Sequence, residues 1–221
     1  MIDIAEYKKA CKDYEERWPL LNNTLYRLCE ENPGHSSLST INAKFFVIGR
    51  TYASGIERLK RNQGSVPSAT LNMLTQHVYE NRKQVDPIFT ELSNISEPLS
   101  AKTLEIIVNL HRRFLNILME VLDRGVPRSF ASKYLHFHCP AVPIYDSIAS
   151  KQVAVNSRGN KVAELFDMPK DADKIYYRFL MDFKGVYDDA YKRGLKPTVR
   201  LIDNYLLYID TEGRHRQKKT R

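Results

Sequence analysis

Apolar residues recur along most of this chain at the three- and four-residue intervals of an amphipathic helix. The clearest example follows Ser100, where six apolar residues share one helical face: Leu104, Ile107, Val108, Leu115, Leu118 and Leu122. Such a stripe is typical of a helix that packs one face against a core. No run alternates convincingly between apolar and polar residues, and the flanks of KFFVIGRTY at 44–52 favour helix there as well. The pattern predicts an all-α fold.

Capping and stop signals divide this pattern into separate helices. Asp3, Ser100 and Asp146 each precede a helical pattern and are favoured N-cap residues. Asn32-Pro33-Gly34 is a strong stop signal, and Pro87 predicts a kink or break. The predicted helices cover residues 4–16, 22–31, about 39–60, 68–92, 100–123 and 129–138, one that begins at Asp146, and two more over 171–192 and 197–209, with a loop over 155–170.

Length and composition are those of a globular protein. The 221 residues, 43% hydrophobic and 27% charged, suffice for one sizeable core. We expect a single domain over 1–212 and a disordered basic tail over 213–221. No apolar run approaches the roughly 18 residues of a membrane span, and the charged N-terminus does not resemble a secretory signal. These features predict a soluble cytoplasmic protein with no membrane association.

Charge and cysteine content narrow the choice of partner. The net charge of +8 favours a polyanion such as nucleic acid. Cys11, Cys29 and Cys139 are odd in number and lack metal-ligand spacing, so we interpret them as reduced thiols. His136 and His138 bracket a phenylalanine and do not form a metal signature either. We expect no catalytic metal and no redox cofactor.

The stretch GVPRSFASKYLHFHCPAVPIYDSIAS at 125–150 contains the most informative pattern: a glycine turn between two helices, a proline-bounded loop and an aspartate at a helix start. It resembles the helix-hairpin-helix DNA glycosylase superfamily, whose members carry L-P-G-V-G-x-K/R-x-A, a helix and then P-V-D-x-H-V. Gly125-Val126 and Ala131 match the hairpin, and residues 143–146 match the P-V-D segment with one insertion. ASKYLHFHCP, PIYDS and IGRTYASGIER also resemble a divergent bacterial branch that includes an anti-phage glycosylase.

The match has departures and covers 26 of the 221 residues. Pro127 replaces the second glycine, which removes one backbone N–H from the phosphate cradle. Arg124 stands in place of the family's proline, and Ile148 in place of its histidine. The resemblance implies a two-lobed helical domain with an active-site cleft between the lobes and a helix-hairpin-helix core at about 101–150.

The resemblance implies a DNA N-glycosylase that flips a damaged or modified base out of duplex DNA and leaves an abasic site. A modified cytosine in phage DNA is one candidate, and host defence is one possible role. Asp146 matches the family's catalytic aspartate, which stabilises positive charge on the sugar and orients or deprotonates water. The simpler interpretation of Asp146 is a helix N-cap, and the two roles are compatible.

Lys133 is the second catalytic candidate. Family members with lyase activity carry a nucleophilic lysine at the position that Ser129 holds here, so we predict a monofunctional enzyme. Lys133 lies one helical turn further on and could still form a Schiff base, contact a phosphate or remain solvated.

The hairpin supplies the predicted DNA contacts. A turn before a helix directs backbone N–H groups at a phosphate, and neighbouring arginines add charge without reading sequence. The candidate DNA-binding residues are Arg124, Gly125, Val126, Arg128 and Ser129, joined by Arg158 and Lys161 in the basic loop NSRGNK. The alternatives are a generic connection between helices and a solvated loop.

The candidate substrate-binding residues are Tyr145, Arg50, Tyr52, Glu57 and His136. Tyr145, beside Asp146, could stack on a flipped base or belong to the core. The polar residues at 50–57 follow an apolar run and could border a cavity, or form ordinary ion pairs such as Glu57 with Arg61. His136 shares a helix face with Lys133 and is equally suited to the core. Asp203 is a weaker second carboxylate, otherwise a cap or ion-pair partner.

Two rival functions remain open at the level of sequence. A helix-hairpin-helix protein without catalysis would bind DNA with steep salt dependence and release no base. A helical scaffold would present its basic surface to an acidic protein, and duplex DNA would not compete. For the glycosylase we expect a monomer whose partner is double-stranded DNA with a modified or damaged base.

Overall fold

The chain folds as a set of packed helices. The computed structural model describes residues 1–52, 54–59, 69–157 and 165–219, and among these the fold is all-α. The helices are α1 Ile4–Arg17, α2 Pro19–Glu31, α3 Leu38–Phe46, α4 Ala69–Glu80, α5 Arg82–Leu92, α6 Ala101–Met119, α7 Arg128–His138, α8 Ser147–Asn156, α9 Lys174–Lys192 and α10 Val199–Lys219, with a π-helical turn at Val47–Thr51 and a 3-10 turn at Ile56–Arg58.

Side-chain caps fix the start of several helices. Asp3, Ser100 and Asp146 each accept a hydrogen bond from a backbone N–H in the first turn, as their positions in the sequence predict. Asp173 caps α9 in the same way. Because each cap satisfies a donor that has no partner within the helix, each stabilises its helix by about 1 kcal/mol.

The prediction of one long helix over 39–60 is wrong. Ser37 caps α3, which ends at Phe46 and continues only as the π-helical turn to Thr51. Gly55 follows with a φ of 72°, in the left-handed region that glycine adopts without steric cost. The polar residues that follow the apolar run are therefore divided between the π-helical turn, which they share with Val47 and Ile48, and the 3-10 turn at Ile56–Arg58.

The break in the next predicted helix lies at Asn81 rather than at Pro87. The Asn81 side chain donates to the His77 carbonyl at 2.9 Å, a local bond that competes with helix continuation and separates α4 from α5. Pro87 lies inside α5. Pro87 and Lys83 are both exposed, so water can take the hydrogen bond that proline cannot donate.

Several helix ends differ from the sequence prediction, including the start of α9 at Lys174, three residues after 171. α2 begins at Pro19, a residue favoured in the first turn because it needs no donor there. α6 ends at Met119, four residues before Asp123. The backbone of α10 continues to Lys219, where the sequence predicts a disordered tail. Lysine, arginine, glutamine and glutamate are good helix formers, and no proline interrupts this segment.

α7 lies at the centre of the packing. It contacts α2, α5 and α6, and its residues 130–137 are buried without interruption. On another side of the molecule α10 packs against α1 and α8, and α9 packs against α8. None of the described helices is both long and apolar enough to cross a membrane.

Candidate active site

A cleft of about 500 Å³ lies where α1 and α10 approach the buried α7. Aromatic side chains form much of its wall: Tyr14, Trp18, Tyr52 and Tyr208. Its charged and polar lining includes Lys133, Asp146, Arg200, Asp203 and Asn204. Two buried nitrogens on this lining, Arg200 Nε and Asn204 Nδ2, have no hydrogen-bond partner among the described residues. The cleft thus combines aromatic surface with closely spaced charges.

The two carboxylate oxygens of Asp146 have different partners: one caps α8, and the other lies beside a lysine of the cleft. Oδ1 accepts hydrogen bonds from the backbone N–H groups of Ile148 at 2.8 Å and Ala149 at 3.0 Å. Oδ2 lies 3.6 Å from Lys133 Nζ. Because the N-cap bonds hold Oδ1, the orientation of the carboxylate is fixed and Oδ2 is left for other chemistry.

Lys133 is buried at one wall of this cleft, with a side chain only 4% exposed. Its Nζ donates to the Tyr52 carbonyl oxygen at 2.7 Å and faces Asp146. Burial lowers the pKa of Lys133, while the carboxylates of Asp146 and Asp203 oppose that shift. The structure therefore brings together the two residues that the sequence nominates for catalysis.

Asp203 is a second buried carboxyl group in the same cleft, for which the sequence favours a cap or an ion pair. Arg200, one turn earlier on α10, donates to its Oδ2 at 3.2 Å. Burial raises the pKa of Asp203 to about 6, Arg200 and Lys133 oppose the rise, and Asp146 adds to it. The spacing of Arg200 and Asp203 indicates their pairing, but nothing local indicates their proximity to Asp146.

Arg200 links the cleft to α2. Its guanidinium lies 5.7 Å from the ring centre of Tyr14 and 5.9 Å from that of Tyr52. It also donates to Asn22 Oδ1 at 2.9 Å, an oxygen that accepts from the Tyr52 hydroxyl as well. Tyr52 therefore lines the cleft, as predicted for a substrate contact, and is held there by a network that the sequence does not reveal.

Tyr145 does not line the cleft. The segment before α8 is extended, so neighbouring side chains point to opposite sides: Ile144 and Asp146 line the cleft, and Tyr145 packs edge-on against Phe179 with ring centres 5.4 Å apart. Its ring is also covered by Arg128, whose guanidinium carbon is 5.4 Å away. The alternation of an extended segment could have predicted this arrangement.

Arg50 and Glu57 pair with each other. Arg50 Nε and an Nη nitrogen donate to Glu57 Oε1 at 3.2 and 3.1 Å, and the arginine also stacks on Phe46. Neither residue lines the cleft. Glu57 therefore forms an ion pair, which is the alternative that the sequence also allows, but its partner is Arg50. Arg61, the partner named from the sequence, lies outside the described residues.

His136 is fully buried behind the cleft. Its Nδ1 is 2.7 Å from the Val142 carbonyl oxygen and must donate to it, so Nε2 accepts from the Tyr26 hydroxyl at 2.6 Å. Burial lowers the pKa of His136 to about 3. A neutral imidazole with both nitrogens occupied is a structural group rather than a substrate contact in this arrangement.

The turn between α6 and α7 is exposed at Arg124, Gly125 and Val126. Gly125 has a φ of 78°. Arg128, the first residue of α7, is not free in the same way: its Nε lies 2.7 Å from Oδ2 of Asp173, the residue that caps α9. Ser129 is half-buried, and its carbonyl accepts from Ser132 Oγ. Arg158 and Lys161 lie outside the described residues.

Among the described residues no group of three or more histidine, cysteine, aspartate or glutamate side chains is arranged to hold a metal ion. No protein-family model, curated protein or solved structure matches this chain. The function must therefore be inferred from the geometry of the cleft and from the chemistry of its residues.

Proposed function

We propose that this protein is a DNA N-glycosylase, which hydrolyses the bond between deoxyribose and a modified or damaged base. The observation that carries the proposal is the position of Asp146, whose Oδ2 is fixed at the cleft beside Lys133 at 3.6 Å. A carboxylate with a fixed orientation in a cleft is suited to stabilise positive charge that develops during a reaction.

The size and lining of the cleft suit a single nucleotide. A volume of about 500 Å³ falls within the range of about 300 to 1,000 Å³ for small-molecule sites. A base in duplex DNA is inaccessible to an enzyme until it leaves the stack, and aromatic side chains can replace the stacking that it loses. Tyr14, Trp18 and Tyr208 line the same cleft and supply that surface.

The proposed reaction breaks the bond between C1′ and the base nitrogen, and the electron pair leaves with the base. Asp146 Oδ2 faces the sugar as C1′ becomes cationic. Water then adds to C1′ and gives one proton to Asp146, which passes this proton through solvent to the departed base. A protonated Lys133 beside Asp146 would weaken the attraction for the sugar cation, so the burial that lowers the pKa of this lysine favours the reaction.

The exposed turn at Arg124, Gly125 and Val126 is the proposed grip on the DNA backbone, supported by the net charge of +8. Such contacts position a protein on duplex DNA without reading its sequence. The proposed role includes defence against phage DNA with modified bases, and the protein is proposed to act as a cytoplasmic monomer.

The test is to incubate the protein with natural and phage DNAs and identify any freed nucleobase by mass spectrometry. We expect base release from at least one DNA, and a loss of at least about 10²-fold in rate for Asp146→Asn. Asparagine is also a good N-cap residue, so the variant should still fold and bind DNA. Asp3→Asn is the matched control, since Asp3 caps α1 through its side chain and does not line the cleft.

Two results would overturn the proposal. Salt-sensitive DNA binding with no freed base from any DNA would indicate a binding protein without catalysis. Equal rates for wild type and Asp146→Asn would exclude the assigned role of this carboxylate.

A further inference from the structure

Asp203 gives the cleft a second carboxyl group, which the steps above do not use. Its side chain is only 4% exposed, yet it lines the cleft together with Asp146 and Lys133. Arg200 donates to Oδ2 at 3.2 Å, and among the described residues Oδ1 receives no hydrogen bond. One oxygen is therefore held in place, and the other is available to a bound molecule.

The two carboxyl groups differ in their environments. The side chain of Asp146 is 24% exposed and accepts two hydrogen bonds from backbone N–H groups, whereas the side chain of Asp203 is almost completely buried. Hydrogen bonds from N–H donors favour an ionised carboxylate, and burial favours a protonated one. Burial raises the pKa of Asp203 to about 6, against the opposing charges of Arg200 and Lys133. Paired carboxyl groups in contrasting environments are suited to opposite roles in proton transfer.

On the basis of the proposed glycosylase function, we propose that Asp203 is a further catalytic residue, which donates a proton to the departing base. The base leaves C1′ with the electron pair of the broken bond and would otherwise depart as an anion. The proton moves from the Asp203 carboxyl group to the base as that bond breaks. Water adds to C1′ and gives a proton to Asp146. Asp146 then releases that proton to solvent, and solvent returns one proton to Asp203. The sum is hydrolysis: water and the nucleotide give an abasic sugar and a neutral base.

The proton on Asp203 depends on every charged group that shares the cleft. The charged and titratable groups are Arg200, Tyr208 and Glu212 on its own helix, Lys133 on α7, Asp146 before α8, Tyr52 after the π-helical turn, and Asp13, Tyr14 and Arg17 on α1. Asp146 is the carboxylate whose charge favours the protonated form of Asp203, so its removal is expected to lower the pKa of Asp203.

The experiment measures single-turnover base release between pH 5 and 9, on whichever DNA the wild type is found to cleave. The wild-type rate should fall about tenfold per pH unit well above pH 6, since the donor must be protonated. Asp203→Asn should lose about 10²-fold or more at pH 6 and lack this decline, while Asp203→Glu should restore part of the rate. Asp210→Asn is the control, because Asp210 is a buried aspartate on α10 that pairs with Gln152 and does not line the cleft.

A carbon NMR titration of the carboxyl groups provides a readout that does not require activity or a variant at position 203. Asp203 should titrate near pH 6 in wild type and at lower pH in Asp146→Asn. An Asp203 that is fully ionised at pH 5, or an Asp203→Asn rate equal to that of wild type, would overturn the proton-donor role alone. Absence of base release from every DNA by wild type would overturn the glycosylase proposal, and the proton-donor role with it.

Discussion

At the level of single residues, the two carboxylate oxygens of Asp146 have different surroundings. Its Oδ1 accepts the N-cap bonds of α8, and its Oδ2 lies beside Lys133. A cap residue is a suitable carrier of charge, since the backbone of the helix it starts fixes its orientation and adds the partial positive charge of the helix N-terminus. The two interpretations of this residue from the sequence are therefore compatible in one geometry.

Lys133 allows a test of whether the proposed reaction is hydrolysis alone. Its Nζ is held by the Tyr52 carbonyl and faces Asp146, and we expect it to remain there rather than attack C1′. Treatment with borohydride during the reaction should therefore trap no covalent complex with DNA. The measurement is denaturing electrophoresis of the protein and labelled DNA.

A trapped complex that disappears in Lys133→Ala and persists in Lys151→Ala would show instead that Lys133 forms a Schiff base. Lys151 is exposed on α8 and controls for a nonspecific effect of removing a lysine. Because burial lowers the pKa of Lys133, a trapped complex would also mean that the neutral amine of Lys133 attacks C1′.

At the level of elements, the sequence pattern predicted helix starts correctly where a cap residue preceded a periodic segment. Asp3, Ser100 and Asp146 mark three helix starts that the structure confirms. It did not predict the π-helical turn or the break at Gly55, because a helical pattern does not show where a helix ends. It also failed at Asn81, whose side-chain bond to the backbone ends α4 without a proline or glycine signal.

The cleft shows the same limit on what sequence can predict. Lys133 and Asp146 lie within one stretch of chain and could be nominated together. Asp203 belongs to α10, and its approach to them depends on the packing of α10 against α1 and α8, which no local pattern encodes. The position of Tyr145 next to Asp146 suggests a binding pocket, whereas adjacent side chains in an extended segment point apart.

The turn between α6 and α7 depends on glycine at position 125. Gly125 has a φ of 78°, and an added Cβ would lie 2.4 Å from Leu59 Cδ2. Left-handed backbone costs other residues about 1 to 2 kcal/mol. Gly125→Ala should therefore lower the free energy of unfolding by at least that amount and weaken DNA binding. Urea unfolding and DNA titration are the measurements.

Gly194→Ala is the matched control for this prediction. Gly194 has a φ of 76°, but an added Cβ would meet nothing within 4 Å, so it reports the backbone cost alone. Combining Gly125→Ala with Leu59→Ala should remove the part of the loss that comes from the clash. If Gly125→Ala is no more destabilising than Gly194→Ala, then Leu59 moves aside at negligible cost.

At the scale of the whole molecule, the core contains several histidines that the folded state keeps neutral. Burial lowers the pKa of His35 and of His111 to about 4, and that of His136 to about 3. The pKa of His138 also lies well below its ordinary value, again mainly because of burial. In the unfolded chain these groups would take up protons below about pH 6.5.

Stability should therefore fall as the pH is lowered from about 6.5 towards 4, because the unfolded state binds more protons than the folded state there. A fully buried histidine contributes about 2 kcal/mol of this loss at pH 5. Asp203 acts in the opposite direction, since its raised pKa lets the folded state take up a proton through about pH 6. The pKa of Glu97 is also raised by burial and acts in the same direction as Asp203. Four histidines outweigh these two carboxyl groups, so urea unfolding at pH 7 and pH 5 should show a net loss on acidification.

Asp203→Asn separates the two contributions, because it removes one of the opposing carboxyl groups and leaves every histidine in place. Its loss of stability between pH 7 and pH 5 should be larger than that of wild type, whereas Asp210→Asn should follow the wild type. Unfolding free energies that stay constant or rise on acidification would contradict the neutral state assigned to the buried histidines. An equal loss in wild type and Asp203→Asn would mean that Asp203 is already ionised at pH 5 in the folded protein.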